Sequence, residues 1–88
     1  MIIPKETVLA VMSLDVKGIR DALRHNGYVE DAQQVKETKF LGMNNTNNFV
    51  YETIFFDPDS EDNITTTNIF VTISPARTGN TFVYLADY

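Results

Sequence analysis

Four acidic residues within positions 57–62 form the densest group of chemically active side chains in this sequence: Asp57, Asp59, Glu61 and Asp62. Carboxylates at alternating loop positions can bind hard cations such as Ca²⁺, contact a basic surface or remain solvated. The spacing does not fit an EF-hand, because Asp62 stands at the turn glycine and Asn68 at the bidentate glutamate. We therefore predict no metal site, and either a solvated hairpin loop or a contact for a basic protein.

The formal net charge of −5 lies entirely in the second half of the chain. Residues 1–39 carry six basic and six acidic residues, whereas residues 40–88 carry Arg77 against six acidic residues. This asymmetry describes the surface and its partners rather than the fold. It predicts a heterologous partner protein with a basic surface, because complementary charge raises association rates and selects partners.

The other reactive groups do not indicate catalysis or nucleic-acid binding. The chain has no cysteine, which excludes disulfides and thiolate sites, and its one histidine, His25, has no serine or acid at catalytic spacing. A basic stripe of Lys17, Arg20 and Arg24 is interspersed with acids, and a pI near 4.5 opposes binding to phosphate backbones. We predict a protein that is not an enzyme, without a cofactor, without direct nucleic-acid contact.

Length and composition predict a single globular domain over residues 1–88. A hydrophobic fraction of 43% with six Phe and four Tyr supports one packed core. The start of the chain lacks the basic region of a signal peptide, and no apolar run reaches the roughly 20 residues of a membrane span. We therefore expect no membrane association and a cytoplasmic location.

Two helices are predicted before residue 34. Pro4 fits the first turn of a helix whose apolar face includes Val8 and Val11, although Thr7–Met12 also fits a strand. The second helix, Asp15–Asn26, has an apolar face of Val16, Ile19 and Leu23 at spacings of 3 and 4. Ser13 or Asp15 can cap its start, and Gly27 follows its end.

From Gln34 onward the period of the apolar residues changes to two. Four strands are predicted, at Val35–Met43, Phe49–Phe56, Ile69–Ser74 and Phe82–Ala86. Their polar connections are predicted as loops at Asn44–Asn48, Asp57–Thr67 and Pro75–Asn80, and connections this short favour antiparallel pairing. The predicted fold class is α+β, with one or two N-terminal helices packed on a four-stranded antiparallel β-meander.

Aromatic residues on both faces of the predicted sheet suggest a second contact surface. In Phe49–Phe56, Phe49, Tyr51 and Phe55 face one way, whereas Val50, Ile54 and Phe56 face the other. The helices cover one face only, so the second exposes apolar surface of the kind that binds partners. We therefore add Glu52, Tyr51 and Tyr84 to the candidate partner-binding residues.

These observations predict a small acidic protein-binding module. An inhibitor or adaptor that docks on a basic, often nucleic-acid-handling, protein fits the size and charge, as in small viral or mobile-element inhibitors. The alternative is a structural assembly subunit, such as a virion or complex component, that forms homo-oligomers through its sheet. A small-molecule or ion-binding module is the third candidate.

Overall fold

A computed structural model describes residues 5–74 and 80–85, of which residue 74 and residues 80–85 are described as backbone only. The helices are Lys5–Met12 (α1), Val16–His25 (α2) and Val29–Gln33 (α3). The strands are Val35–Met43 (β1), Phe49–Phe56 (β2) and Ile64–Ser74 (β3), and each pairs antiparallel with the next. The chain therefore has an α+β fold, with its helices before an antiparallel sheet.

The first two helices confirm the sequence prediction, including the helical alternative for Thr7–Met12. Asp15 caps α2, since its Oδ1 accepts a hydrogen bond of 2.8 Å from the Gly18 N–H. At the other end Gly27 has φ 93°, and the Tyr28 N–H donates to the Leu23 carbonyl at 2.9 Å. This geometry is a Schellman motif, in which glycine takes the left-handed conformation without steric cost.

The third helix was not predicted. It has five residues, too few for an apolar period to stand out from the sequence. Its only buried residue is Ala32, which has no exposed surface and joins the core. The described residues therefore form three helices where one or two were predicted, and the additional one is this short helix.

The structure confirms β1 and β2 at their predicted bounds and lengthens β3. Pairs such as Phe55 with Thr65 and Phe56 with Ile64 extend the β2–β3 ladder to the end of β2. The predicted loop Asp57–Thr67 is therefore wrong over its second part, because β3 already begins at Ile64. The backbone N–H and C=O groups of this threonine-rich segment form hydrogen bonds with β2. Its polar side chains make it resemble a loop in the sequence, although threonine is common in strands.

The predicted fourth strand, Phe82–Ala86, is described in part, as backbone over Phe82–Leu85. The backbone of Asn80–Leu85 runs antiparallel beside β3, with Tyr84 at the register position of Phe70. The side chains of this segment, and all of Ala86, lie outside the described residues. The confirmed sheet has three strands, and the fourth stays a prediction.

The helices pack on one face of the sheet, called the inner face below. Residues of α1, α2 and α3 meet alternate residues of the strands in a single cluster: Val11, Ile19, Leu23, Ala32, Val35, Phe49, Tyr51, Phe55, Ile69, Val71 and Ile73. The alternation predicted for β2 is confirmed, since Tyr51 and Thr53 are fully buried while Glu52 is exposed. The opposite, outer face has no helix over it among the described elements.

Strand β1 lies at an edge of the sheet and is interrupted twice. Its register with β2 shifts between Val35 and Glu37 and again between Phe40 and Gly42, where Gly42 has φ 117°. Bulges of this kind twist an edge strand and disfavour pairing with another chain. Near the start of this edge, the Arg20 guanidinium donates a hydrogen bond of 2.6 Å to the Val35 carbonyl.

Candidate protein-binding surface

The acidic loop between β2 and β3, residues 57–63, has a defined backbone. The Asp57 N–H donates to the Asn63 carbonyl at 2.8 Å, and the Ser60 N–H donates to the Asp57 carbonyl at 3.1 Å. Asn63 closes the loop in the left-handed region, at φ 61°, which asparagine tolerates better than most residues. The loop therefore presents its side chains from a fixed backbone.

Asp57 contributes to the structure of this loop. Its Oδ1 accepts from the Asp59 N–H at 3.1 Å, and its Oδ2 accepts from the Thr65 hydroxyl at 2.6 Å. The first bond forms an Asx turn, and the second joins the loop to β3. Asp57 is only partly exposed, so among the loop acids it is the one with a clear structural role.

The other three acids, Asp59, Glu61 and Asp62, are exposed and form what we call the acidic tip. The salt bridge found among the described residues joins Arg24 to Asp21 at 3.2 Å and involves none of them. Their charges therefore act together on the solvent around the β2–β3 hairpin. The structure brings these three predicted residues into one loop, as the sequence suggested.

Glu52 lies apart from the tip, on the outer face of β2. Its register partner on β1 is Lys39, and its partner on β3 is Asn68. Opposite charges at facing positions of an antiparallel pair offset one another. Glu52 is exposed, but it adds less to the acidic field than its charge alone suggests.

Tyr51 lies in the core and cannot serve as a surface contact. It has no exposed surface, its hydroxyl donates to the Val11 carbonyl, and the Leu14 N–H donates to that hydroxyl at 3.1 Å. Burial raises the pKa of Tyr51 above its usual 10.0, against a lowering by the Leu14 bond. The assignment of Tyr51 to the partner surface is therefore corrected, and the Tyr84 side chain lies outside the described residues.

A cleft opens next to the acidic loop, between α3 and the β2–β3 hairpin. It encloses about 310 Å³ and is lined by Asp31, Gln34, Phe55, Phe56, Asp57, Thr65 and Thr67. Sequence reasoning missed Asp31 and the two threonines, because α3 and the start of β3 were themselves missed. The alternation of Thr65 and Thr67 was the available signal, since residues two apart share one face of a strand.

The basic stripe on α2 is divided by the fold. Arg20 turns inward to the Val35 carbonyl, Arg24 pairs with Asp21, and Lys17 is exposed. His25 is exposed in the last turn of α2, where a positive charge is favoured. Within the described residues, no group of three or more His, Cys, Asp or Glu side chains is placed to hold a metal ion.

The three described helices have 8, 10 and 5 residues, and none has the length and apolar character needed to cross a bilayer. No protein-family model matches the chain, and neither does any curated protein or any solved structure.

Proposed function

We propose that this chain is a small acidic protein-binding module without catalytic activity, an inhibitor or adaptor that docks on a protein with a basic surface. It works in the cytoplasm of the producing or host cell, and Asn80–Leu85 completes a four-stranded meander. The observation that carries the proposal is the acidic tip: three exposed carboxylates, free of salt bridges to described residues, on one hydrogen-bonded loop.

The fixed backbone of the loop favours binding. The Asp57 N–H donates to the Asn63 carbonyl, and the Asp57 carboxylate accepts from the Asp59 N–H and the Thr65 hydroxyl, so the loop is held in one conformation before a partner binds. A preorganised loop loses less conformational freedom on binding, so more of the interaction energy appears as affinity. Longer-range attraction between the tip and a basic surface raises the association rate and weakens with salt.

The rest of the chain supports an orienting role for the tip. The first half of the sequence sums to zero charge, and on α2 the pairing of Arg24 with Asp21 offsets two charges locally. A molecule with one neutral part and one acidic part experiences a torque near a basic surface, which turns its acidic part forward. The acidic loop would therefore be the first part of the molecule to contact the partner.

The test begins with capture of partners from the producing or host cell at low and high salt. Association kinetics are then measured for a tip variant, Asp59→Asn, Glu61→Gln and Asp62→Asn. The matched control, Glu6→Gln, Glu30→Gln and Glu37→Gln, removes the same charge from exposed positions in the neutral half.

We expect the tip variant to associate about tenfold more slowly at low salt, with a flatter salt dependence, and the control to stay near the parent rate. Equal rates for the tip variant and the control would contradict the proposal, since only net charge would then matter. An unchanged rate in the tip variant would leave the loop as a solvated hairpin.

A second candidate, self-association through the sheet, is favoured by the apolar residues of the outer face. Phe56 is 47% exposed, and Ile54 and Phe70 are partly exposed. The bulges in β1 act against edge-to-edge pairing, so the faces would have to pack. Sedimentation at low and high salt distinguishes the two functions, because an apolar dimer survives high salt and is weakened by Phe56→Ser.

A further inference from the structure

The cleft between α3 and the β2–β3 hairpin combines two carboxylates with an apolar floor. Asp31 comes from α3 and Asp57 from the first position after β2, while Phe55, on the same face of the sheet as Thr65 and Thr67, supplies aromatic surface. The Phe56 N–H donates to the Gln34 carbonyl at 2.7 Å, which ties the end of α3 to β2. The two walls of the cleft are thus held at a fixed separation.

We infer that this cleft receives an arginine side chain of the partner, an inference that rests on the proposed function and names the group the partner supplies. An arginine has an apolar stem and a planar cationic head with five N–H donors. The stem matches the aromatic surface of Phe55, and the head matches the two carboxylates.

The carboxylates retain capacity for these bonds. The Asp31 side chain makes no hydrogen bond or ion pair with any described residue, and it is exposed. Each oxygen of Asp57 accepts one bond, from the Asp59 N–H and the Thr65 hydroxyl, and a carboxylate offers about four acceptor positions. Among the described residues, none that lines the cleft is basic, so no described lining residue offsets the charge of the two carboxylates.

The size and lining favour a side chain over a metal ion or a larger ligand. About 310 Å³ is at the small end of ligand sites. Two carboxylates fall short of the six or more oxygens that Ca²⁺ takes, whereas a bidentate cation on an aromatic floor needs only such a pair. The threonines Thr65 and Thr67 add hydroxyl acceptors at the rim.

The inference is tested without the partner, by titrating N-acetyl-arginine amide into the ¹⁵N-labelled protein at constant ionic strength. N-acetyl-citrulline amide, which has nearly the same shape without the charge, is the neutral probe. We expect saturable shifts of the amides of Gln34, Phe56 and Thr67 with arginine, at a Kd on the order of millimolar, and none that saturate with citrulline.

Asp31→Asn should weaken arginine binding by about two- to fivefold, the range of an exposed charge pair. Glu30→Gln is the matched control, because it removes the same charge from the neighbouring exposed position outside the cleft lining. Equal weakening by both variants, saturation with citrulline, or shifts confined to residues 59–62 would overturn the inference. Such a result leaves the tip's salt-sensitive docking intact, so the two proposals fail separately.

Discussion

At the scale of single residues, the core depends on side chains that the helices deliver to the inner face. Leu23 and Ile19 have no exposed surface, and both come from the predicted apolar face of α2. Lys17 lies on the same helix but is exposed. Residues on one helix therefore differ sharply in what they contribute to stability.

Replacing Leu23 by alanine should lower the free energy of unfolding by about 2–4 kcal/mol, through lost burial and the cavity left behind. Lys17→Ala, the control on the exposed face, should change it by about 0.5 kcal/mol or less. Urea denaturation followed by circular dichroism measures both. Similar losses in the two variants would mean that α2 packs through a different face.

Tyr51 links the sheet to the connection between α1 and α2 through its hydroxyl group. Tyr51→Phe should lower the free energy of unfolding by about 1–3 kcal/mol, because the Val11 carbonyl and the Leu14 N–H lose a buried partner. Tyr28→Phe is the control, since its hydroxyl makes no hydrogen bond with a described residue. If Tyr51→Phe lowers the free energy of unfolding by no more than Tyr28→Phe does, the Tyr51 hydroxyl does not stabilise the protein.

The same residue makes stability depend on alkaline pH. Burial raises the Tyr51 pKa above 10.0 in the folded state, so the unfolded chain releases this proton first. The free energy of unfolding should therefore fall as the pH rises above 10.0. In Tyr51→Phe that fall should be shallower, as denaturant titrations across this range can measure.

At the scale of elements, the residue at which α2 begins is set by a capping hydrogen bond at its N-terminus rather than by the residues of its interior. The sequence offered Ser13 and Asp15 as alternative caps of α2, and the structure places Asp15 at the cap, with a bond to the Gly18 N–H. The Leu14 side chain lies close to Gly18, since an added Cβ would be 2.9 Å from Leu14 Cδ2. A larger residue at this position would therefore displace the end of the Leu14 side chain.

Asp15→Ala should lower the free energy of unfolding by about 0.5–2 kcal/mol, the usual cost of an N-cap. Ser13→Ala should be nearly neutral, since Ser13 is exposed and its side chain bonds to no described residue. Thermal denaturation of the two variants side by side decides between the caps. A larger loss of stability in Ser13→Ala than in Asp15→Ala would mean that Ser13, and not Asp15, is the N-cap of α2.

At the scale of the whole molecule, much of the excess negative charge lies in the exposed loop between β2 and β3, where repulsion between the carboxylates lowers the stability of the fold little. Asp57 is held by hydrogen bonds, while Asp59, Glu61 and Asp62 project into solvent. The tip acids repel one another, and no described cation offsets them within salt-bridge distance. They therefore add little to the stability of the fold, and recognition is the role that we propose for them.

Neutralising the tip with Asp59→Asn, Glu61→Gln and Asp62→Asn should leave the free energy of unfolding within about 0.5 kcal/mol of the parent. Any gain should be largest at low salt and should vanish as screening increases. Asp57→Ala should instead lower it by about 1–2 kcal/mol, through the lost Asx turn and the bond to Thr65. Denaturation at two salt concentrations measures both, and destabilisation by the tip variant would assign its acids a structural role.

The sequence by itself determined those elements whose signals are local. The caps of α2, the bounds of β1 and β2, and the two faces of β2 follow from residue types within a few positions of one another. The concentration of acids in residues 57–62 is likewise visible before folding. Steric preference, capping and alternation act over short distances, so a single chain segment reports them.

Only the tertiary structure decided the elements that depend on distant partners. Ile64–Asn68 reads as loop until β2 pairs with it, and α3 is too short to show a period. The burial of Tyr51 follows from the position of α1 over the sheet, and the cleft needs α3 beside the β2–β3 hairpin. These features are set by packing and by hydrogen bonds between remote segments, which residue spacing along the chain does not record.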